Sequence, residues 1–281
     1  LSKESSIIIN NWFMMYFLSV VLIGTVYPIF LDVISSQKIS VGPPFYHKLI
    51  IPFLIPFLLM MAIGPSLKWI KSNLENKVYL FSLLIISILL SFLIVENFDK
   101  NILINTILIS SALYLFFITL RDFFKKNKNI SQNIAHFGFS LLILSILFNN
   151  LFSTEIITNL KVGETFVSND TKIVFENINQ KQEKNYKAIL GNFSVENPDG
   201  TTDKMLPELR IYNQPNIVTS EADIKTTLLS DKFIVINLVQ NQEYFNVRYQ
   251  VKPFMLWIWL SVLLVSFGGL VSFFKRNKHE K

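Results

Sequence analysis

Three histidines are the side chains of this chain best suited to holding a metal or moving a proton near neutral pH, and no cysteine accompanies them. His136 lies in Ser131-Gln132-Asn133-Ile134-Ala135-His136-Phe137-Gly138-Phe139-Ser140, at the start of an apolar run. An ionisable group inside such a run is a candidate functional residue, because burying it unpaired costs several kcal/mol and demands a partner. One reading makes the imidazole an axial ligand of haem iron, with Gly138 leaving room for a macrocycle or a close helix. The other makes it an interfacial histidine hydrogen-bonded to Gln132, Ser140 or a neighbouring helix, and the residues alone leave both open. His47, after Val41-Gly42-Pro43-Pro44-Phe45-Tyr46, reads as a rim residue, and His279 as a solvated residue of a basic tail. A bis-histidine haem needs its two ligating nitrogens about 4 Å apart. His47 and His136 are expected near opposite faces of a layer about 30 Å thick, so they cannot share an iron. A second ligand beside His136 would come from outside this chain.

Other constellations are weaker. Glu208, Arg210, Glu221, Asp223 and Asp231 could form an acid/base set or cation site, but loop salt bridges and turn caps explain them more simply. No calcium-loop spacing, Ser/His/Asp arrangement or glycine-rich phosphate loop is present. Pro52, Pro56 and the Gly64-Pro65 break interrupt one apolar run, either to shape a cavity or as prolines tolerated within a membrane span. Trp257 and Trp259, beside Lys252 and Pro253, suit an aromatic belt at a membrane interface better than a cofactor or quinone contact.

The elements that carry these residues follow from composition. The 281 residues are 51% hydrophobic, 14% aromatic and 16% charged, too apolar for an ordinary soluble domain and incompatible with disorder. The missing thiols exclude a disulfide scaffold, a cysteine zinc site, an iron–sulfur cluster and covalent haem attachment to this chain. Spanning about 30 Å of hydrocarbon takes about 20 apolar residues in a helix. Six runs approach that length: 7–30, 49–70, 78–95, 102–120, 134–152 and 254–274. Apolar residues surround every face of these runs, as in helices bounded by lipid and one another.

Lysine and arginine alternate between the links. Lys3, Lys68, Lys71, Lys77, Arg121, Lys125, Lys126, Lys128, Lys275, Arg276, Lys278 and Lys281 fall on one side, against Lys38, Lys48 and Lys100 in the short loops of the other. The positive-inside rule then predicts cytoplasmic termini and an external fifth link. That link, 153–252, has 11 basic and 13 acidic residues and turn signals at Asn169-Asp170, Asn197-Pro198-Asp199-Gly200 and Asn213-Gln214-Pro215. Runs at 171–178, 186–195, 205–212, 233–238 and 244–251 are β-branched or aromatic. The expected architecture is an α-helical integral membrane protein of about six transmembrane helices, with an all-β domain, a small barrel or sandwich, inserted between helices five and six. The net charge of +6 resides in the loops that topology makes basic, so no nucleic-acid partner is expected.

Several stretches, in order along the whole chain, together resemble one family. They include Gly24-Thr25-Val26-Tyr27-Pro28, Ser40-Val41-Gly42-Pro43-Pro44, Gly64-Pro65, Ile134-Ala135-His136-Phe137-Gly138, Pro207-Glu208-Leu209-Arg210-Ile211-Tyr212, Ser220-Glu221-Ala222 and Lys252-Pro253 followed by Trp257-Ile258-Trp259. The chain resembles the C-terminal part of cytochrome c maturation protein F, a haem lyase component of the cytochrome c maturation system. The resemblance implies that haem carried by the chaperone, maturation protein E, is attached outside the membrane to an apocytochrome c presented by maturation protein H. It also implies a haem b held in the membrane between two histidines that reduces the incoming haem using quinol, His136 matching one of those ligands. The family's tryptophan-rich haem-binding segment, its flanking histidines and the other haem b ligand belong to an N-terminal half that this chain lacks. His47 stands where relatives commonly have Asn, and Ser220 where Thr is usual.

The expectation is therefore the C-terminal part of a haem lyase in a bacterial inner membrane, multi-pass and surrounded by lipid, with the β domain periplasmic. The chain opens on Leu1 with no basic n-region and cleavage site, and is expected to continue or complement another polypeptide. Alone it is not expected to be competent for ligation. The rivals are a haem or small-molecule permease subunit and a non-catalytic membrane scaffold carrying an external β domain.

Overall fold

A computed structural model describes residues 2–35, 39–70, 77–98, 101–124, 130–168, 171–198, 200–239 and 243–279, the last five without their side chains. The chain divides into two compact units, 1–147 with 260–281, and 148–259. Lys125, Lys126 and Lys128, on which part of the charge asymmetry rests, lie outside the described residues, as does the Asn169-Asp170 turn.

The first unit is helical. Among the described residues, six helices are long and apolar enough to cross a membrane: α1 (Lys3–Ser35), α2 (Pro43–Ile63), α3 (Lys77–Val95), α4 (Ile102–Phe124), α5 (Ile130–Phe152) and α6 (Met255–His279). Most extend past the apolar runs, because a helix whose backbone is satisfied internally continues into polar flanks that cap it. Ser2 does so for α1, its Oγ accepting from the Ser5 amide at 3.3 Å. In α2 the Pro43-Pro44 pair opens the helix, where missing amide protons cost nothing. Pro52 and Pro56 are accommodated inside it, and the Gly64-Pro65 break ends it in a 3₁₀ turn, Gly64–Ser66.

Burial separates the helices. More than half of the apolar stretch of α4 is buried within the chain, against a quarter or less for the other five. Helix α4 packs against α2 and α3. It meets α5 through a Thr119–Ser140 hydroxyl pair at 2.7 Å and through Phe116 and Phe123 against Phe137. Small residues let α5 and α6 approach closely. A Cβ added at Gly138 would lie 2.9 Å from Leu264 Cβ and from the Val265 amide, and one at Gly268 2.8 Å from the Ala135 amide.

The second unit is an antiparallel β-sandwich. Its strands are β1 (Thr154–Leu160), β2 (Thr165–Ser168), β3 (Thr171–Gln182), β4 (Tyr186–Glu196), β5 (Thr202–Met205), β6 (Glu208–Tyr212), β7 (Val218–Glu221), β8 (Asp223–Thr226), β9 (Ser230–Leu238) and β10 (Phe245–Pro253). One sheet has the order β1-β10-β9-β8, the other β2-β3-β4-β6-β7 with β5 also on β4. Alternate residues of both sheets, among them Ile173, Phe175, Phe193, Val195, Ile234, Ile236, Val247 and Tyr249, form the core, with Phe175 and Phe193 stacked at 4.3 Å.

The sequence reading joined 205–212 in one run, whereas the structure has two strands there. Pro207, which cannot donate to a ladder, separates β5 from β6, and its carbonyl accepts from the Gly191 amide at 3.0 Å. Where β5 faces the other sheet, Asp203 is 5% exposed. It accepts hydrogen bonds from Lys232 at 2.7 Å, from Asn197 at 2.9 Å, and from Lys225. Burial alone would raise its pKa, but these donors outweigh burial and hold the carboxyl well below the usual carboxylate range. Burial and the Asp203 charge push the nearby Tyr249 phenol up to about 12.

Candidate functional site

His136 stands in the second turn of α5, half-buried, on the wall of a cavity of about 470 Å³ within the helical unit. Three elements build that cavity. Helix α1 contributes Lys3, Ser6, Ile7, Asn10 and Met14 from its first turns; α2 and its 3₁₀ extension contribute Phe57, Met60, Met61, Gly64 and Pro65; α5 contributes Gln132, Ala135, His136 and Phe139. The lining is mainly apolar, with a lysine, a serine, an asparagine, a glutamine and the imidazole as its polar groups. This composition suits a mainly apolar ligand with a few polar groups better than a small polar one.

Local structure explains why α1 meets α2 here. Gly64 has no side chain, and a Cβ there would lie 2.5 Å from Ser6 Oγ, so glycine permits the close approach. After the break, the chain turns across the end of α1. The Lys3 amide donates to the Lys68 carbonyl at 3.1 Å, the Ile70 amide donates to a Glu4 carboxylate oxygen at 3.3 Å, and the Lys3 ammonium lies 5.4 Å from the centre of the Trp69 ring. The break at Gly64-Pro65 thus forms a cavity wall, whereas Pro52 and Pro56 lie outside the lining.

Ser140, one of the partners considered for His136, is engaged elsewhere. Its hydroxyl contacts Thr119 at 2.7 Å and the Phe137 carbonyl at 2.8 Å. Among the described residues no hydrogen bond reaches either ring nitrogen of His136. A second, small cleft of about 20 Å³ touches the same histidine and is lined by Thr119, Asp122 and Asn133 among others. The Asn133 amide group donates to the Asp122 carbonyl at 2.7 Å, fastening the start of α5 to the end of α4. The imidazole is therefore carried on a helix fixed on several sides, with one face toward an apolar cavity.

The remaining candidates lie apart from this cavity. His47 is exposed at the start of the second turn of α2, ten residues before the first lining residue of that helix, about 15 Å along its axis. The His279 side chain is outside the described ones. Trp257 donates from Nε1 to the Leu228 carbonyl at 3.0 Å, and Trp259 is largely exposed; neither lines the cavity. In the sandwich, Arg210 pairs with Glu208 at 2.9 Å and Glu221 at 3.8 Å, and the hydrogen bond to Glu208 leads in raising its pKa. An Asp223 carboxylate oxygen accepts from the Leu206 amide at 2.6 Å. Asp231 is buried, and its Cα faces Lys252 across the β9–β10 ladder. Those of Arg210 and Asp223 are structural pairings, one buried Asp231 carboxylate oxygen has no hydrogen-bond partner among the described residues, and no cluster of three or more metal-ligating side chains occurs among them. The sequence reading missed Lys3, Asn10, Met60 and Met61. Asn10 inside an apolar run was the available signal, an amide that needs a partner or a polar cavity.

Comparison with known proteins bears on the whole chain. The family model described as "CcmF C-terminal beta-sandwich" matches residues 151–253. The cytochrome c-type biogenesis protein CcmF of Pseudomonas fluorescens is 26% identical over 298 aligned positions, covering 100% of this chain and 45% of that protein. CcmF of Escherichia coli (strain K12) is 25% identical, covering 97% of this chain and 44% of its own length. A solved structure, "Cytochrome c Heme Lyase CcmF", superposes with a TM-score of 0.74 at 19% identity, covering 96% of this chain and 45% of that one. The chain thus spans about half the length of the relatives it matches. Residues 151–253 thus match the model of the CcmF C-terminal β-sandwich, and the chain as a whole, a multi-pass membrane protein, is similar to the C-terminal part of CcmF.

Proposed function

We propose that this chain is the C-terminal part of a haem lyase for c-type cytochrome biogenesis, and that His136 is an axial ligand of a haem b held within the membrane. The observation that carries the reading is an imidazole without a hydrogen-bond partner among the described residues, on the wall of an apolar cavity of about 470 Å³. The groups present fit such a ligand. Ile7, Met14, Phe57, Met60 and Phe139 offer surfaces for a macrocycle, and Lys3, Asn10 and Gln132 offer donors for its carboxylates. When bound, the haem would supply the redox chemistry; the chain's part is to present the imidazole lone pair, fix its direction through α4 and α6, and exclude water.

A second ligand to the iron would come from outside this chain, from the N-terminal half that the CcmF relatives carry. On this reading the membrane is the bacterial inner membrane, with the termini cytoplasmic and the sandwich periplasmic, where it works with the haem chaperone maturation protein E, with maturation protein H and with apocytochrome c. Quinol is the proposed reductant. Support comes from the CcmF relatives along the full chain and from the basic residues gathered in alternate links.

The test is the reduced-minus-oxidised visible spectrum of the chain purified in detergent with its N-terminal counterpart, wild type against His136→Ala. The b-type signal is expected to be lost or strongly weakened, and imidazole added to His136→Gly is expected to restore part of it. An unchanged signal would sink the ligand assignment. No haem in either sample would favour a membrane scaffold.

A further inference from the structure

The turn between β8 and β9 carries two adjacent leucines, Leu228 and Leu229, that are 63% and 64% exposed. An aliphatic pair at the tip of a rigid turn is costly in water, and this turn is rigid. The Thr227 amide donates to the Ser230 carbonyl at 2.9 Å, the Thr227 hydroxyl donates to the same carbonyl at 2.7 Å, and the Ser230 amide donates to the Thr227 hydroxyl at 3.1 Å. These bonds hold the backbone of the turn, on which both leucine side chains stand exposed.

The turn is also fastened to the first turn of α6. The Phe254 amide donates to the Leu229 carbonyl at 2.8 Å, and Trp257 Nε1 donates to the Leu228 carbonyl at 3.0 Å. Helix α6 is apolar from Met255 to Phe274, 20 residues. At 1.5 Å per residue that is about 30 Å, the hydrocarbon thickness with no slack, so Met255 marks one border of the membrane. Groups hydrogen-bonded to residues 254 and 257 lie within about one helical turn, 5 Å, of that border. Trp257 and Trp259 at the same level are the residue type enriched there.

We infer that the Leu228-Leu229 turn is a membrane-interface anchor, its two side chains inserted among the lipid headgroups and upper acyl chains beside α6. The partner is the lipid surface itself. Continuity with a span argues for this occupant, because the turn is hydrogen-bonded to residues 254 and 257, where α6 enters the bilayer. The anchor gives the sandwich a second attachment to the bilayer besides its covalent connections, and it fixes the β8–β9 end of the domain at the surface. It is independent of haem and of His136.

The test exploits the absence of cysteine. Leu228→Cys, Leu229→Cys and, at the opposite end of β9, Leu238→Cys each give one site for a nitroxide label. Leu238 is also exposed and lies up to about 27 Å from Ser230 along the strand. With the full chain in phosphatidylcholine vesicles, the ratio of oxygen to water-soluble nickel collision rates is expected above one at Leu228 and Leu229 and below one at Leu238. A ratio below one at the tip, low rates for both reagents there, as under a protein cover, or equal ratios at all three sites would overturn the proposal. Hydroxyl-radical footprinting of the unsubstituted chain in lipid nanodiscs supplies a check free of labels. Leu228 and Leu229 are expected to be oxidised several-fold less than Leu238, and equal oxidation would overturn the anchor.

Discussion

Two residues show how context sets chemistry here. His136 draws its meaning from what does not bond it: Ser140 is occupied by Thr119 and Phe137, and the ring is left facing an apolar cavity. Asp203 is the opposite case, a buried carboxylate with donors from Lys225, Lys232 and Asn197. Its pKa lies below the unfolded value, so folding favours the charged form. That stabilisation is complete above the unfolded carboxylate range, near pH 4, and is lost as pH falls through the lower folded value. We predict that Asp203→Ala costs about 3 kcal/mol, because it strands the largely buried Lys232 ammonium, while the half-exposed Lys225 adds little. Hydrogen-exchange protection of β9 and β10 in the intact chain measures this. The wild type is expected to lose protection below about pH 4, and Asp203→Asn to start lower and respond less steeply to acid. Equal slopes would show that Asp203 does not govern acid stability.

At the scale of elements, glycine sets the helix positions around the cavity. Gly138 and Gly268 let α5 and α6 touch backbone to backbone, and the facing atoms at Gly138 include the Val265 amide and the Ser261 carbonyl, which cannot rotate away. Gly138→Leu should force the helices apart at a cost of about 2 kcal/mol, lowering the melting temperature in detergent. Because His136 lies two residues away on α5, the same variant should also weaken the b-type spectrum while keeping the imidazole. A spectrum unchanged beside a lowered melting temperature would separate packing from ligand placement. In the sandwich, the five strand runs read from β-branched and aromatic residues correspond to core strands such as β3, β4, β9 and β10. Strands β1, β2, β7 and β8 were not read at all, and β5 was touched only at Met205, in the run that the structure splits between β5 and β6. Four of those five have only four residues, too few to display an alternation, and β1 carries Ile156 and Ile157 side by side, which breaks it.

For the whole molecule, the proposed orientation is testable without any knowledge of haem. A phosphatase fused within the β domain, after Gly200, is expected to be active only if the domain is exported, while a fluorescent protein fused after Lys281 is expected to fluoresce in the cytoplasm. The reverse pair of results would overturn the topology. Span number, the basic links and the presence of an extramembrane β domain were determined by the sequence alone, since each is a sum of residue properties over a continuous segment, and the hydrocarbon thickness converts such sums into helices. The motif Ile134-Ala135-His136-Phe137-Gly138 likewise marked the histidine, although it could not distinguish a ligand from a bonded interfacial residue. Only the tertiary structure decided which helix is central, that the Gly64-Pro65 break closes a cavity, and that Lys3, Met60 and Gln132 share that cavity with His136. The physical reason is that lipid and protein are nearly equal in apolarity. A run of Leu, Ile and Phe therefore carries no mark of which face meets a neighbour; that is settled by steric fit at glycines and by a few hydrogen bonds between residues far apart in the chain.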